Sequence, residues 1–346
     1  MTIGRFIQTH NLEQALLIGY YGGGNYGDEL LLEIMQNLLA KKGVKRAEVA
    51  YMPYVPFERY HHDFGYAHFT ANSVPKLLGA IFRSKSVIIG GGGIWGLDAK
   101  LQPLLMSVAL FIARWIFGKN VYLFGVGYYS STNWYGHVGA FLAAISATVI
   151  IARDPETKFN FRRISRHVYE DTDLAWYLPS IDTSVYKSEL TKLEADLPIT
   201  RKTVFITLRR FSPAHQNDYD KIVGDLLEKY SDRDIVLALL EPRAVYPDGY
   251  KTIRKWQGIY PHVRAVDLAV NPVALYLFLQ NHRHDIKVIS PQFHAMLSAH
   301  LAGAPFLPLV YDNKCQALLN HIGVAGHSIY DLQSSTVQRF IDEEAP

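Results

Sequence analysis

Short apolar runs alternate with stretches of helical period along almost the whole chain, and this alternation restricts it to an α/β fold built on mainly parallel sheets. The runs predict strands at 15–19, 47–52, 86–90, 120–126, 147–151 and 167–169. Helical patterns at 28–41, 74–82, 100–117, 134–144 and 155–162 lie between them. A polar stretch, 183–202, breaks the rhythm and reads as a connection. Beyond it the pattern resumes, with strands at 204–209, 234–239, 263–265, 286–289 and 306–310 and helices at 217–230, 248–258, 271–280, 292–302 and 314–321. The expectation is two Rossmann-like domains facing a central cleft, 1–182 and 203–330, followed by a terminal helix in 331–346. In such sheets ligands bind at the carboxyl ends of the strands.

At 346 residues, 49% hydrophobic and 19% charged, the chain can bury a core in each domain, which excludes a disordered or fibrous class. The formal charge of +3 and the absence of long runs of like charge predict no nucleic-acid footprint. A single cysteine, Cys315, excludes an internal disulfide and fits a reducing compartment. The N-terminal residues show no apolar signal region, so a cytoplasmic protein is expected. The stretch LLMSVALFIARWIFG at 104–118 is shorter than a membrane span and is broken by Arg114. It reads as a largely buried helix or as a monotopic, membrane-facing one, giving peripheral contact with the inner face of a membrane.

The residues that bear chemistry cluster at predicted strand ends. GYYGGGNYGDE at 19–29 places five glycines in nine residues between a strand and a helix. It satisfies G-x-G-x-x-G, but no acidic residue ends the next strand, and no Lys-Ser/Thr follows, so neither a dinucleotide fingerprint nor a phosphate loop is complete. Asp28 reads as the helix cap, and a carboxylate there favours a neutral polyol, hydrogen-bonded by Asp28 or Asn25 beside Gly24, over a pyrophosphate. A plain structural turn is the alternative. The second run, GGGGIWGLD at 90–98, brings Gly92, Gly93, Trp95 and Asp98 to the same edge, with Trp95 either a sugar-stacking platform or core.

Arg153 ends the fifth strand, positioned either to reach a ligand or to pair with Asp154 or Glu156. In the second half Arg209 and Arg210 end a strand, where an arginine fork suits a carboxylate or phosphate and a structural ion pair is the alternative. His294 falls in the first turn of a helix after Gln292 and Phe293, while Tyr311 and Lys314 sit between a strand and the next helix. Cys315 reads as structural. Neutral loops in the first half and cations in the second suit a transferase that holds a neutral acceptor and an anionic donor. No metal site is predicted.

These motifs, in this order, resemble the polysaccharide pyruvyl transferase family. GYYGGGNYGDE, GGGGIWGLD, ARDPET at 152–157, DTDLAW at 171–176, TLRR at 207–210 and PQFHAMLSAHLAGAPFLPLVYDNK at 291–314 carry the resemblance. It implies a glycosyltransferase-B-like fold and no cofactor. The donor substrate would be phosphoenolpyruvate, bound mainly by the C-terminal domain, and the acceptor a glycan or lipid-linked saccharide bound by the N-terminal one. His294 is then the acid, with Asp28 the second catalytic candidate. Donor-binding residues would be Arg209, Arg210, Gln292, Phe293, Tyr311, Lys314 and Arg153. Acceptor-binding residues would be Gly24, Asn25, Asp28, Gly92, Gly93, Trp95 and Asp98.

One departure carries chemical weight: the family pattern has arginine where this chain has Gln292, and a neutral amide cannot lend a trianion the same charge. A nucleotide-sugar-dependent glycosyltransferase and a catalytically inactive carbohydrate-binding homologue are the alternatives.

Overall fold

The computed structural model describes residues 1–52, 54, 57, 61–96, 101–200, 202–241, 246–266 and 271–343. The chain divides into two compact units: Met1–Gly23 with Asp28–Asp182, and Gly24–Gly27 with Thr183–Pro346.

The strands of the first unit are β1 (Ala15–Ile18), β2 (Ala47–Tyr51), β3 (Ala67–Thr70), β4 (Ser86–Trp95), β5 (Asn120–Tyr128), β6 (Val149–Ala152) and β7 (Val168–Glu170). Among the described residues they form one parallel sheet in the order β3-β2-β1-β4-β5-β6-β7. Its helices are α1 (Ile3–Thr9), α2 (Tyr26–Lys41), α3 (Val74–Arg83), α4 (Leu101–Phe111), α5 (Trp134–Ser146) and α6 (Pro155–Arg162), and a π-helical turn, Ile112–Ile116, continues α4. The strands are apolar on both faces because helices cover both, as parallel sheets require. Leu16, Ile18, Val87, Ile89, Val121 and Leu123 pack in one core with Leu110 of α4, Ala113 of its π-helical turn and Ala140 and Ala143 of α5. Asn133 caps α5 by accepting from the Gly136 N–H at 3.1 Å, and Asp154 caps α6 by accepting from the Thr157 N–H at 2.7 Å.

The second unit repeats the design with β8 (Thr203–Leu208), β9 (Asp234–Leu239), β10 (Val263–Val266), β11 (Ile286–Ser290), β12 (Phe306–Val310) and β13 (His327–Ser328). Their order, again parallel, is β10-β9-β8-β11-β12-β13. The helices are α7 (Lys187–Asp196), α8 (Pro213–Lys229), α9 (Pro247–Ile259), α10 (Pro272–Asn281), α11 (Phe293–Ala302), α12 (Asn313–Ile322) and α13 (Ser334–Asp342). Val337 and Ile341 of α13 are buried in this unit's core beside Leu226 and Leu227 of α8. The stretch 183–202 holds α7, which packs on α10 through buried Leu193.

Both sheets reverse strand order between their first strand and the fourth, so each has a switch point, at β1/β4 and at β8/β11. There the loops diverge to opposite sides and leave a crevice at the carboxyl ends. Four elements escape the sequence pattern: α1, the edge strand β3, α7 within the stretch read as a connection, and the two-residue strand β13. Another differs in extent: β4 runs on through Gly90–Trp95, with positive φ at Gly91 and Gly92 and a shift in register before Trp95.

Candidate active-site residues of the two units

The first unit's switch point is built by the two glycine runs. Gly22 adopts φ +79°, and a Cβ there would come within 2.0 Å of the Met52 carbonyl oxygen, so the turn after β1 admits no side chain. The Tyr21 hydroxyl donates to the Gly90 carbonyl at 3.1 Å and accepts from the Gly90 N–H at 3.2 Å, joining one run to the other. Asp28 lies in the first turn of α2, and its Oδ1 is 3.7 Å from the point where a Cβ on Gly92 would sit. The cap of α2 is not Asp28, as expected, but Asn25, whose side chain accepts from the Gly27 N–H at 2.9 Å.

Trp95 is fully buried, edge-to-face against Phe161 at 5.5 Å, and its indole N–H donates to Ser107 at 3.3 Å. An indole enclosed on both faces cannot stack on a sugar, so of the two readings for Trp95 only packing stands. Asp98 lies outside the described residues.

Arg153 emerges at the end of β6 and lies over Gly93 and Gly127. Its guanidinium donates to Asp173 at 3.0 Å and to the Tyr129 hydroxyl at 3.2 Å, and it pairs with Asp154 at 3.6 Å. Burial works against its charge, and Tyr129, Asp173 and Asp154 more than offset this, so its pKa is raised. This is the paired alternative, with Asp173 as a partner beyond the expected Asp154. Glu156 instead accepts from Ser130. Asp171 accepts from the Ile3 N–H at 2.7 Å and from Tyr177 at 2.6 Å, fastening α1.

A buried ionic cluster beside this edge went unread in the sequence. Glu29 and Glu33 of α2 hold His61 between them, at 2.9 Å to Nε2 and 2.8 Å to Nδ1, with all three side chains out of contact with water. Glu29 also accepts from the Gly22 N–H at 3.0 Å, and Glu33 from the His62 N–H at 2.8 Å. Burial disfavours the imidazolium, but hydrogen bonds to the two carboxylates more than offset this and raise its pKa from the ordinary 6.5 to about 9. Glutamates four residues apart on the apolar face of ELLLEIMQNLLA were the available signal.

In the second unit the switch point is formed by the ends of β8 and β11, with the segment 24–27 among its residues. Gly27 faces His294 so closely that a Cβ on it would come within 2.0 Å of Nδ1. Tyr26 is buried, its hydroxyl 2.9 Å from Ser298 Oγ and donating to the Pro272 carbonyl at 3.3 Å, and its N–H donates to the Leu240 carbonyl at 3.1 Å. Gly24 and Asn25, expected on the acceptor side, therefore belong to the unit that carries His294.

Gln292 is the N-cap residue of α11, and its N–H donates to Ser290 at 3.0 Å; Ser290 is also 2.7 Å from Thr207. Its side chain is buried, and Oε1 has no hydrogen-bond partner among the described residues. Phe293 stands edge-on to His294 at 4.9 Å.

Arg209 lies over the Tyr311 ring at 4.3 Å and pairs with buried Glu241 at 3.3 Å, and Glu241 also accepts from the Arg210 N–H at 3.3 Å. The Lys314 ammonium is 5.7 Å from the same ring and 3.4 Å from Asp312, the cap of α12. Burial works to raise the Asp312 pKa, but Lys314 and the Cys315 N–H lower it further than burial raises it. Cys315 is buried, its thiol 3.8 Å from the Pro291 carbonyl, and burial pushes its pKa far up, so it is no nucleophile. Arg209, Arg210 and Lys314 against Glu241 and Asp312 leave this cluster positive.

Described residues include no cluster of His, Cys, Asp or Glu arranged to hold a metal ion, and no helix long and apolar enough to cross a membrane. Among curated proteins none matches this chain. Solved structures share its fold. The UDP-GlcNAc 2-epimerase of Methanocaldococcus jannaschii superposes with a TM-score of 0.61 at 11% identity, over 95% of this chain and 91% of that one. HepE of Anabaena, solved with UDP and glucose, gives 0.58 at 14% identity over 96% and 90%. The UDP-GlcNAc 2-epimerase of Neisseria meningitidis gives 0.55 at 12% over 95% and 92%. These likenesses establish two Rossmann-like domains of the glycosyltransferase-B-like class. The family model for polysaccharide pyruvyl transferases matches residues 25–313, most of the chain, including Arg209, Arg210, Gln292, Phe293, His294 and Tyr311, and the protein belongs to that family.

Proposed function

We propose that this protein transfers the enolpyruvyl unit of phosphoenolpyruvate to two hydroxyls of a sugar in a glycan or lipid-linked saccharide, forming a pyruvate ketal and releasing phosphate. The observation that carries the reading, beyond family membership, is the group at the carboxyl end of the second sheet: Arg209 against Tyr311, Lys314 beside the same ring, and His294 at the start of α11. Two cations near one aromatic ring, with helix N-termini of α11 and α12 alongside, provide for a compact, highly charged anion.

In the reaction His294 gives its proton to the methylene carbon as one acceptor oxygen bonds to the adjacent carbon. The bond from that carbon to the phosphate oxygen then breaks, and the second hydroxyl closes the ketal. Of the two hydroxyl protons released, one restores the acid and the other leaves with phosphate. Protonation and attack must be concerted in position, because the oxocarbenium-like centre is short-lived in water. Arg209 and Lys314 stabilise the departing phosphate. Gln292 supplies a hydrogen-bonding amide where an arginine would supply charge, so these two cations carry more of the donor's charge. The first unit's edge, with Asp28 against Gly92, is assigned to the neutral acceptor.

Calorimetry with phosphoenolpyruvate tests the donor assignment. Lys314→Ala is expected to weaken binding about tenfold, the loss of one charge-assisted contact of roughly 1.5 kcal/mol. Unchanged affinity would remove Lys314 from the site. Binding of UDP-sugars with none of phosphoenolpyruvate would replace the reading with a nucleotide-sugar glycosyltransferase.

A further inference from the structure

The outer face of α4 and α5 is apolar and open. Ala109 and Leu110 of α4, Ala113 of its π turn and Ala140, Ala143 and Ala144 of α5 enter the same core, and the two helices pack side by side, so the faces opposite that core point the same way. On α4 that outer face bears Leu101, Leu105 and Val108, and the wider turn after it adds Trp115 and Ile116, 60% and 68% exposed. On α5 it bears Trp134, Val138 and Phe141, the first 61% exposed. A set of large apolar side chains this contiguous exceeds the scattered exposure that soluble surfaces carry.

Charge decides what covers it. From Ala99 to Pro155 the only acidic residue is Asp154, which caps α6 and pairs with Arg153, so α4, its π turn and α5 bear none. Arg114 and Lys119 stand at the end of the face marked by Trp115 and Ile116. The Lys119 ammonium lies over the ring of exposed Phe82 at 5.7 Å and donates to the Phe82 carbonyl at 2.8 Å. The carboxylates at that end of the sheet are already engaged, Glu48 with Arg83 at 2.7 Å and Glu13 with Lys85 at 3.9 Å. A second copy presenting the same face would bring no carboxylate to Arg114 and Lys119, since an isologous contact pairs the face with itself and the face carries none. An anionic surface complements it. Tryptophan at both ends of the face, aliphatic residues between and lysine and arginine at one rim match the interface of a lipid bilayer, whose headgroup zone takes indole rings and whose surface charge draws cations.

We propose that the α4–α5 face docks on an anionic phospholipid bilayer, lying in its interface without crossing it. This does not depend on the donor chemistry.

The experiment is flotation of the full chain with phosphatidylcholine vesicles, with and without phosphatidylglycerol, at low and high salt, beside sedimentation without lipid. Wild type is expected to float with the anionic vesicles and to lose most of this binding without phosphatidylglycerol or at high salt. Lys119→Gln should weaken it about fivefold, the worth of one surface cation. The triple change Leu105→Ser, Trp115→Ser, Phe141→Ser should abolish it while leaving the far-ultraviolet spectrum and melting temperature unchanged, since all three side chains are at least half exposed. Failure of wild type to float, or flotation indifferent to the triple change, overturns the proposal. So does a lipid-free dimer that the triple change dissociates, because a second copy would then cover the face.

Discussion

Replacing His61 by alanine is expected to destabilise the first unit by about 3–5 kcal/mol, because it strands Glu29 and Glu33 as neighbouring buried carboxylates with their shared cation removed. Urea unfolding at neutral pH measures this as a lowered midpoint. His61→Gln, which can still donate to one carboxylate but carries no charge, should recover only part of the loss. Equal stability of His61→Ala and wild type would mean that the cluster is not held as an ion triad. The same cluster makes stability depend on pH in a stated direction. In the unfolded chain the imidazole titrates near 6.5, and in the folded chain near 9, so the contribution is complete below about 6.5 and fades as pH rises through about 9. Its full extent is about 3 kcal/mol, and the dependence should be absent in His61→Gln.

Gly27→Ala is expected to abolish transfer while sparing most of the fold. The added methyl would fall 2.0 Å from His294 Nδ1, so the imidazole, held at the start of α11, has to turn away from its place. Losing a positioned acid costs about 10²–10⁴ in rate, and the overpacking itself costs roughly 1–3 kcal/mol. His294→Gln removes the acid without adding volume. The two variants should therefore show the same loss of turnover, with phosphoenolpyruvate affinity within a few-fold of wild type in His294→Gln. A Gly27→Ala protein that turns over normally would show that His294 can act from another position.

The alternation of apolar runs and helices revealed both sheets because a parallel strand buried on both faces has to be apolar throughout, as in VFITLR and DIVLAL. Where that constraint lapses the pattern is silent. Edge strand β3 (AHFT) is exposed or half-exposed along its length, and α1 spans only seven residues, too few for a period to show. The glycine runs were legible as a ligand edge but not in detail. Periodicity ended β4 at the glycines, whereas backbone that can adopt positive φ carries the strand through them.

At the candidate sites, sequence position placed Arg209, Tyr311, Lys314 and His294 at strand ends and helix starts, since strand-to-helix loops can be counted. Partner choice could not be counted. Arg153 is engaged by Asp173, twenty residues on, and Tyr129, twenty-four residues back, neither of which spacing links to it. The affiliation of Gly24–Gly27 with the second unit is likewise invisible in a loop that follows β1 directly.

Product analysis in deuterated water follows pyruvyl transfer at the bonds it makes. The protein, phosphoenolpyruvate and a panel of hexopyranosides and lipid-linked saccharides are incubated together, and mass spectrometry and proton NMR follow the products. Pyruvyl transfer yields a saccharide heavier by one carboxyethylidene group, a ketal methyl carrying one deuterium delivered by the acid, and one phosphate released per ketal, all lost in His294→Gln. A product glycosylated from a UDP-sugar, or a ketal formed as well by His294→Gln as by wild type, would contradict it.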